Sequence, residues 1–313
     1  MRILIASTAF PESAEVLRER LPGDELIVDD GDADGEFDVI VPLMRRIDAA
    51  MMDRHRPRLI QQYGVGLEGV DRGAAAERGI PVNNVPAADT GNADGVGEVA
   101  VLHLLALTRR YHASRDSLNR GRLGQPTGTA LTGATIVILG LGAVGCAVAA
   151  RLRGFGAELI GVGTRDGQAA RRLTEQLGLV DYAPVSRLTQ ACDGALALIA
   201  CCVLNDATRG IVGREVLTAL GAGGPGYVVN VARGPVLDYD ALHQALSEGR
   251  IAGAGLDVYW DEPVDPDDPI LAHNVVATPH IGGVTTLAYQ AMADVVVANV
   301  ERLRRGEPVV TTG

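Results

Sequence analysis

Three residues in the C-terminal third of this 313-residue chain carry side chains suited to moving a proton and steadying negative charge. They are Arg233 in NVARG, Glu262 in LDVYWDEP and His280 in TPHIGG. Each follows an apolar, strand-like run, and open parallel sheets gather their ligands at the carboxyl ends of strands. Imidazole gives or takes a proton near neutral pH. Pro279 stiffens one side of His280, and Gly282 and Gly283 open space on the other. A carboxylate bonded to one ring nitrogen raises the imidazole pKa and selects its tautomer, and Glu262, in a turn before Pro263, is the candidate. The Arg233 guanidinium suits a carboxylate and a carbonyl oxygen that becomes negative when hydride adds to its carbon. Singly, such residues are more often surface, structural or solvated. Three residue types in three strand-end loops, beyond the glycine turn described next, are a stronger signal.

That turn is GLGAVG, Gly140–Gly145, with the strand-like ATIVIL before it and the helix-forming CAVAARLRGFG after it. Gly140 suits a tight turn, Gly142 a close approach to a pyrophosphate, and Gly145 the packing of helix on strand, with the anion at the helix N-terminus. Leu141, Ala143 and Val144 complete the loop as candidate cofactor contacts, joined by Val231, Ala232 and Gly282 from later strand-end loops. At the end of the next strand, where an acidic residue normally bonds the adenine ribose, GAELIGVGTRD has Gly163, Thr164 and Arg165. Glycine leaves room for a 2'-phosphate, Arg165 can pair with it and Thr164 can donate to it, so NADP(H) is expected in preference to NAD(H). The competing reading gives the ribose to Asp166 and makes the cofactor NAD.

Composition excludes several alternatives. A net charge of -11 disfavours nucleic acid, which needs a clustered basic face, while a small anionic substrate needs only local cations and amides. All 28 basic residues are Arg, so Schiff-base lysines, the pyridoxal phosphate lysine and the Walker A lysine are absent together. Cys146, Cys192, Cys201 and Cys202 lack metal-ligand spacing and suggest a reduced compartment, so no metal site is expected. Met1–Ala6 reads as a strand rather than a signal peptide. The apolar stretch from Ile136 to Leu152 is interrupted by glycines, so no membrane association and a cytoplasmic location are expected.

The elements that position these groups alternate between strand and helix, which implies α/β units with mainly parallel sheets. The strand-like runs are RILIA, ELIV, FDVIV and RLIQQY, then ATIVIL, Glu158–Val162, ALALIA, YVVNV, IAGAGLDV and NVVATP. Asp29–Asp38 reads as an acidic solvated loop. Val96, Val99, Leu102, Leu105 and Ala106 give one helix from Ala93 to about Leu118, and a last helix, roughly Thr285–Arg305, is long enough to return to the first unit.

With these motifs assembled, the chain resembles the D-isomer-specific 2-hydroxyacid dehydrogenases over nearly its whole length. The resemblance makes GLGAVG the cofactor loop, Arg233 the substrate-binding arginine, Glu262 the glutamate and His280 the acid/base histidine. It also implies that Asp257 of GLDV contacts the nicotinamide carboxamide and that the Val65 and Gly66 amides, in YGVGLEGVD, hold the substrate carboxylate. Asn92 and Glu98 of GNADGVGE stand where the family opens its interdomain helix.

The expected fold is therefore two Rossmann-like or flavodoxin-like α/β domains facing across a cleft. A discontinuous substrate domain, 1–92 and 287–313, accepts an inserted dinucleotide-binding domain, 93–286. The expected activity is hydride transfer between NAD(P)H and C2 of a small 2-oxo or 2-hydroxy acid, with Val65, Gly66, Arg233 and His280 binding substrate and a homodimer implied. The sequence also departs from the family. Val203 stands where proline is common, the AADTG segment between Pro86 and Asn92 is long, and VPLMRR, Val41–Arg46, lacks the usual arginine and serine. These departures leave the acid open. The alternative function is a non-catalytic, nicotinamide-sensing, corepressor-like protein on the same scaffold; a formate or phosphite donor draws no positive support. The end at Gly313 argues against the long, allosterically regulated phosphoglycerate dehydrogenases.

Overall fold

A computed structural model describes residues 1–30 and 33–310. Gly31 and Asp32 of the acidic run, and residues 311–313 of the expected second substrate-domain segment, lie outside the described residues. Contacts divide the chain into two compact units, Met1–Asn92 with Val284–Gly313, and Ala93–Gly283.

The first unit runs β1 (Arg2–Ile5), α1 (Pro11–Arg20), β2 (Glu25–Val28), β3 (Val39–Val41), α2 (Ala49–His55), β4 (Leu59–Gln61), α3 (Arg72–Glu77) and β5 (Val82–Asn83). Its strands pair in parallel in the order β2-β1-β3-β4-β5. Both faces are covered, so alternate residues serve two cores. Ile3, Ile5, Val39, Val41 and Leu59 face one, and Leu4, Ala6, Ile40 and Ile60 face the other.

The second unit begins with α4 (Asn92–Thr108) and α5 (Tyr111–Asn119). It continues through β6 (Thr135–Leu139), α6 (Ala143–Leu152), β7 (Glu158–Gly163), α7 (Gly167–Leu177), β8 (Asp181–Pro184), α8 (Leu188–Cys192), β9 (Ala197–Ala200) and α9 (Arg214–Gly221). It ends with β10 (Tyr227–Asn230), α10 (Tyr239–Ser247), β11 (Gly253–Leu256) and β12 (Val275–Ala277). The parallel sheet has the order β12-β11-β10-β9-β6-β7-β8. The winding reverses between β6 and β9, and a reversal of this kind leaves a crevice at the strands' carboxyl ends. Val137 and Leu139 of β6 join one core while Ile136 and Ile138 join the other.

The single helix expected from Ala93 to Leu118 is two helices. Arg110 takes φ 52°, and the Thr108 carbonyl accepts the Thr129 amide at 2.8 Å instead of continuing the helical ladder. The buried face of α4 also differs from the expected one. Leu102 is 53% exposed, whereas Ala93, Gly97, Ala100, Leu104 and Leu107 are buried. Gly97 is the reason: a Cβ there would stand 3.3 Å from Ala147, so α4 packs on α6 through its small residues.

The final helix, α11 (Thr286–Arg304), belongs to the first unit and buries Ala288, Met292, Ala293, Val296 and Val300 in its core. Asn299 adds a buried polar tie: its Nδ2 donates to Gln61 Oε1 at 2.7 Å and its Oδ1 accepts the Val310 amide at 3.1 Å. Asn299→Ala strips both groups of this partner. It is expected to cost about 1–3 kcal/mol, read as a lower urea midpoint, and an unchanged midpoint would discount the tie.

Candidate active site

The glycine turn sits at the reversal of the second sheet. Gly140 has φ 90°, and a Cβ there would stand 2.6 Å from the Cys202 Cα beyond β9. Only a residue without a side chain fits both constraints. A Cβ on Gly145 would meet the Gly140 carbonyl oxygen at 2.0 Å, which is how closely α6 approaches the turn. Gly142, the N-cap of α6, has nothing within 4 Å of its absent Cβ. The open face above Gly142, with the first-turn amides of Ala143 and Val144, fits a pyrophosphate. Leu141 is buried beside it.

At the end of β7 the sequence led us to expect room beside Gly163. That room is filled: a Cβ there would stand 2.5 Å from the Tyr182 hydroxyl. Thr164, Arg165 and Asp166 follow on the surface. The Arg165 guanidinium donates to the Leu141 carbonyl at 2.7 Å, which brings it back to the glycine turn. Asp166 is the N-cap of α7 and makes no side-chain cap bond.

The strand-end loops of β10, β11 and β12 carry the three chemical residues. Val231 and Ala232 are buried after β10, and the Arg233 Nη1 donates to the Ala232 carbonyl at 2.7 Å. Asn230, fully buried, folds this loop by donating to the Arg233 carbonyl at 2.9 Å and accepting the Ala232 amide at 3.1 Å. A Cβ on Gly234 would stand 2.0 Å from the Tyr259 carbonyl group, so the arginine and glutamate loops touch backbone to backbone. Glu262 Oε1 accepts the Tyr259 amide at 2.8 Å, and Oε2 lies 2.7 Å from His280 Nδ1. A carboxylate can only accept, so Nδ1 carries the proton of that bond. His280 itself is held at φ 55°. Burial alone would raise the Glu262 carboxyl; the His280 bond and charge, the Tyr259 amide and the Arg233 charge together outweigh it and hold the group below the usual range.

Asp257 binds these loops together. It is 2% exposed; Oδ1 accepts Thr278 Oγ1 at 2.6 Å and the Ile281 amide at 2.9 Å, while Oδ2 accepts the Gly282 amide at 2.9 Å. Its carboxylate therefore spans both flanks of His280. Burial pushes its pKa up, against those three bonds and the His280 charge. Because the Thr278 proton goes to Asp257, His103 Nε2, 2.9 Å from Thr278 Oγ1, must be the donor in that contact. Burial lowers the His103 pKa to about 4, so the ring is neutral with its proton on Nε2. Sequence reading missed Asn230, Gly234, Thr278, His103 and Tyr182. The neighbouring motifs pointed to the loops but not to what braces them.

In the first unit, the loop after β4 holds Val65 and Gly66 by their carbonyls. Asn84 Nδ2 donates to the Val65 oxygen at 2.6 Å, and Gln62 Nε2 donates to the oxygens of Gly66 at 3.1 Å and Leu43 at 2.9 Å. Neither the Val65 nor the Gly66 amide is bonded among the described residues. Glu98 has a structural partner, pairing with Arg151 at 3.1 Å beside Asp94 at 3.0 Å and so fastening α4 to α6. Among the described residues no group of three or more His, Cys, Asp or Glu is placed to hold a metal.

The depressed Glu262 pKa fixes the sign of a pH effect. Its contribution to stability is complete above the unfolded value, about 4.3, and is lost as pH falls through the lower folded value. Glu262→Gln is therefore expected to be less stable than the parent near neutrality, with the gap held down to about pH 5 and narrowing as pH falls below about 4. Urea midpoints across that range test it, and a pH-independent gap would contradict the assignment.

Residues 101–282 match the family model for the D-isomer specific 2-hydroxyacid dehydrogenase, NAD binding domain. Glyoxylate/hydroxypyruvate reductase A of Arabidopsis thaliana is 34% identical over 256 residues, covering 81% of this chain and 77% of that protein. Glyoxylate reductase of Pyrococcus furiosus is 33% identical over 95% of this chain and 86% of its own. A solved NADPH-dependent glyoxylate/hydroxypyruvate reductase from Sinorhizobium meliloti, in complex with NADP and malonate, is similar with a TM-score of 0.79 at 29% identity, covering 99% of this chain and 95% of that one. A match of this extent, on a chain whose strand-end loops already hold an imidazole against a carboxylate, leaves one conclusion: this protein belongs to the D-isomer specific 2-hydroxyacid dehydrogenases.

Proposed function

We propose that this dehydrogenase interconverts a small 2-oxo acid and its 2-hydroxy acid using NADP(H) in preference to NAD(H), with Arg233, Glu262 and His280 as its working residues. The observation that carries the reading is the 2.7 Å Glu262–His280 pair, in a loop braced on both flanks by Asp257. When bound, the nicotinamide supplies or accepts the hydride. Gly140–Gly145 and the Ala143 and Val144 amides would hold its pyrophosphate, with Leu141, Val231, Ala232, Asp257 and Gly282 lining the rest of the site. Arg233 receives the substrate carboxylate and steadies the carbonyl oxygen as charge develops there. The unbonded Val65 and Gly66 amides are assigned to the same carboxylate, which makes 1–92 with 287–313 the substrate domain and 93–286 the dinucleotide domain. In reduction, His280 gives the proton on Nε2 to the nascent alkoxide, while Glu262 stabilises the doubly protonated ring and orients it. Oxidation runs the same steps backwards.

The relatives' names favour glyoxylate and hydroxypyruvate among candidate acids. No helix among the described residues is long and apolar enough to cross a membrane. Cytoplasmic residence is supported by the four free cysteines. A homodimer is supported by exposed apolar side chains along α4, α5 and the following loop, Leu102, Tyr111, Leu118 and Leu123, the last 91% exposed.

The test is reduced-cofactor consumption with NADPH and NADH against glyoxylate, hydroxypyruvate, pyruvate, phenylpyruvate and 2-oxoisocaproate. Turnover is expected, faster with NADPH. His280→Gln should lower kcat by about 100-fold or more with cofactor binding retained, and Arg233→Ala should raise KM most. Cofactor binding without turnover on any acid would favour the sensing protein. For the assembly, light scattering should give the mass of two chains, and Leu118→Glu should shift it toward one; a monomeric parent would refute the dimer.

A further inference from the structure

The carboxyl end of β7 reads Gly161-Val162-Gly163, so its two glycines share one face of the strand. Tyr182 pairs with Gly161 from the neighbouring edge strand β8, and its ring lies along that face. A Cβ on Gly161 would stand 3.1 Å from the ring's Cδ2, and one on Gly163 would stand 2.5 Å from the hydroxyl. At Gly161 a Cβ would meet Leu141 at 2.4 Å and Leu179 at 2.9 Å before the ring, so it is the missing side chain of Gly163 that leaves room for the ring's hydroxyl end. Its hydroxyl comes to rest where the side chain of residue 163 would begin. There it accepts the Arg165 amide at 3.0 Å, while the Arg165 guanidinium reaches back to the Leu141 carbonyl at 2.7 Å. Tyr182 is only partly buried, and its own hydroxyl proton has no acceptor among the described residues.

We propose that Tyr182 is the ribose-recognition residue of the dinucleotide site, donating its phenolic O–H to a 2'-phosphate oxygen that Arg165 also pairs with. The inference rests on the glycine turn being a nicotinamide dinucleotide site. In this arrangement the phenol takes the place an acidic side chain on residue 163 would fill. A carboxylate there accepts from ribose hydroxyls and repels a phosphate; a phenol donates, and hydrogen bonds to an ionised acceptor are the stronger kind. The Arg165 amide bond aims the phenol by occupying one of its lone pairs. Cofactor choice then belongs to a pair of residues on adjacent strands, so converting Gly163 to an acid cannot by itself install a ribose acceptor.

NADPH and NADH affinities, measured by nicotinamide fluorescence on the full chain, test this. The parent should bind NADPH the more tightly. Tyr182→Phe, which keeps the ring in place and removes only the O–H, should weaken NADPH about tenfold and change NADH by less than about threefold. Gly163→Asp alone should weaken both cofactors and lower Tm, whereas Gly163→Asp with Tyr182→Ala should recover the fold and bind NADH more tightly than NADPH. Tyr182→Phe that leaves both affinities unchanged, or weakens both equally, overturns the proposal in favour of a purely structural ring. A Gly163→Asp protein with parental Tm and NADPH affinity overturns the exclusion argument. A parent that binds NADH more tightly overturns the phosphate assignment while leaving the cofactor site intact; a parent that binds neither overturns the dinucleotide reading itself.

Discussion

The Asp257 carboxylate is the constraint on which the loops at the carboxyl edge of the second sheet depend. It sits at the end of β11, 2% exposed, and its two oxygens gather a hydroxyl and two backbone amides from the segment that follows β12. A carboxylate buried to this degree is costly unless its lone pairs are filled, and here the loop bearing His280 fills them. The dependence runs in both directions. The amides of Ile281 and Gly282 solvate the buried charge, and that charge holds the backbone beside a histidine in the left-handed region. A non-glycine residue in such a conformation persists only where its surroundings over-determine it.

The same economy of backbone contact recurs across the second unit. Gly140 meets the loop after β9, Gly145 meets Gly140 and Gly234 meets Tyr259, each at a backbone separation that no side chain would permit. These contacts join the carboxyl-edge loops to one another rather than only to the sheet below. Arg233, Glu262 and His280 can come from three separate strands and still form one cluster because glycines let their loops abut. The parallel sheet brings the loops to one edge, and the glycines set the spacing within it.

Legibility in the sequence follows from this. GLGAVG and TPHIGG could be read because their glycines and flanking apolar runs are local and state their own requirements. The His280–Glu262 contact could be read because imidazole and carboxylate are the partners that acid/base chemistry demands. Asn230, Thr278 and His103 could not, since a neutral polar residue announces nothing until burial forces it to find partners, and those partners are as far apart as residues 103 and 278. The α4 face was misjudged for a related reason. Periodicity weights Leu102, but the packing surface uses Gly97 and Ala100, whose value is their smallness. The break at Arg110 is a tertiary effect: the amide of Thr129, in the loop that follows α5, takes a helix carbonyl, and nothing in the helix's own residues requires it to stop there.

Gly163 shows why an absent side chain is harder to read than a present one. A glycine where an acid is expected invites the inference of vacated space, and vacated space invites a phosphate. The neighbouring strand changes that inference, because the space beside Gly163 is taken by the Tyr182 hydroxyl, 2.5 Å from where a Cβ would stand. What reaches the ribose side of the site is then a hydroxyl whose direction is set by the Arg165 amide, carried on the edge strand next to the one where the family's acid belongs. The proposed preference for a 2'-phosphate rests on that hydroxyl, with the Arg165 side chain turned back to the glycine turn.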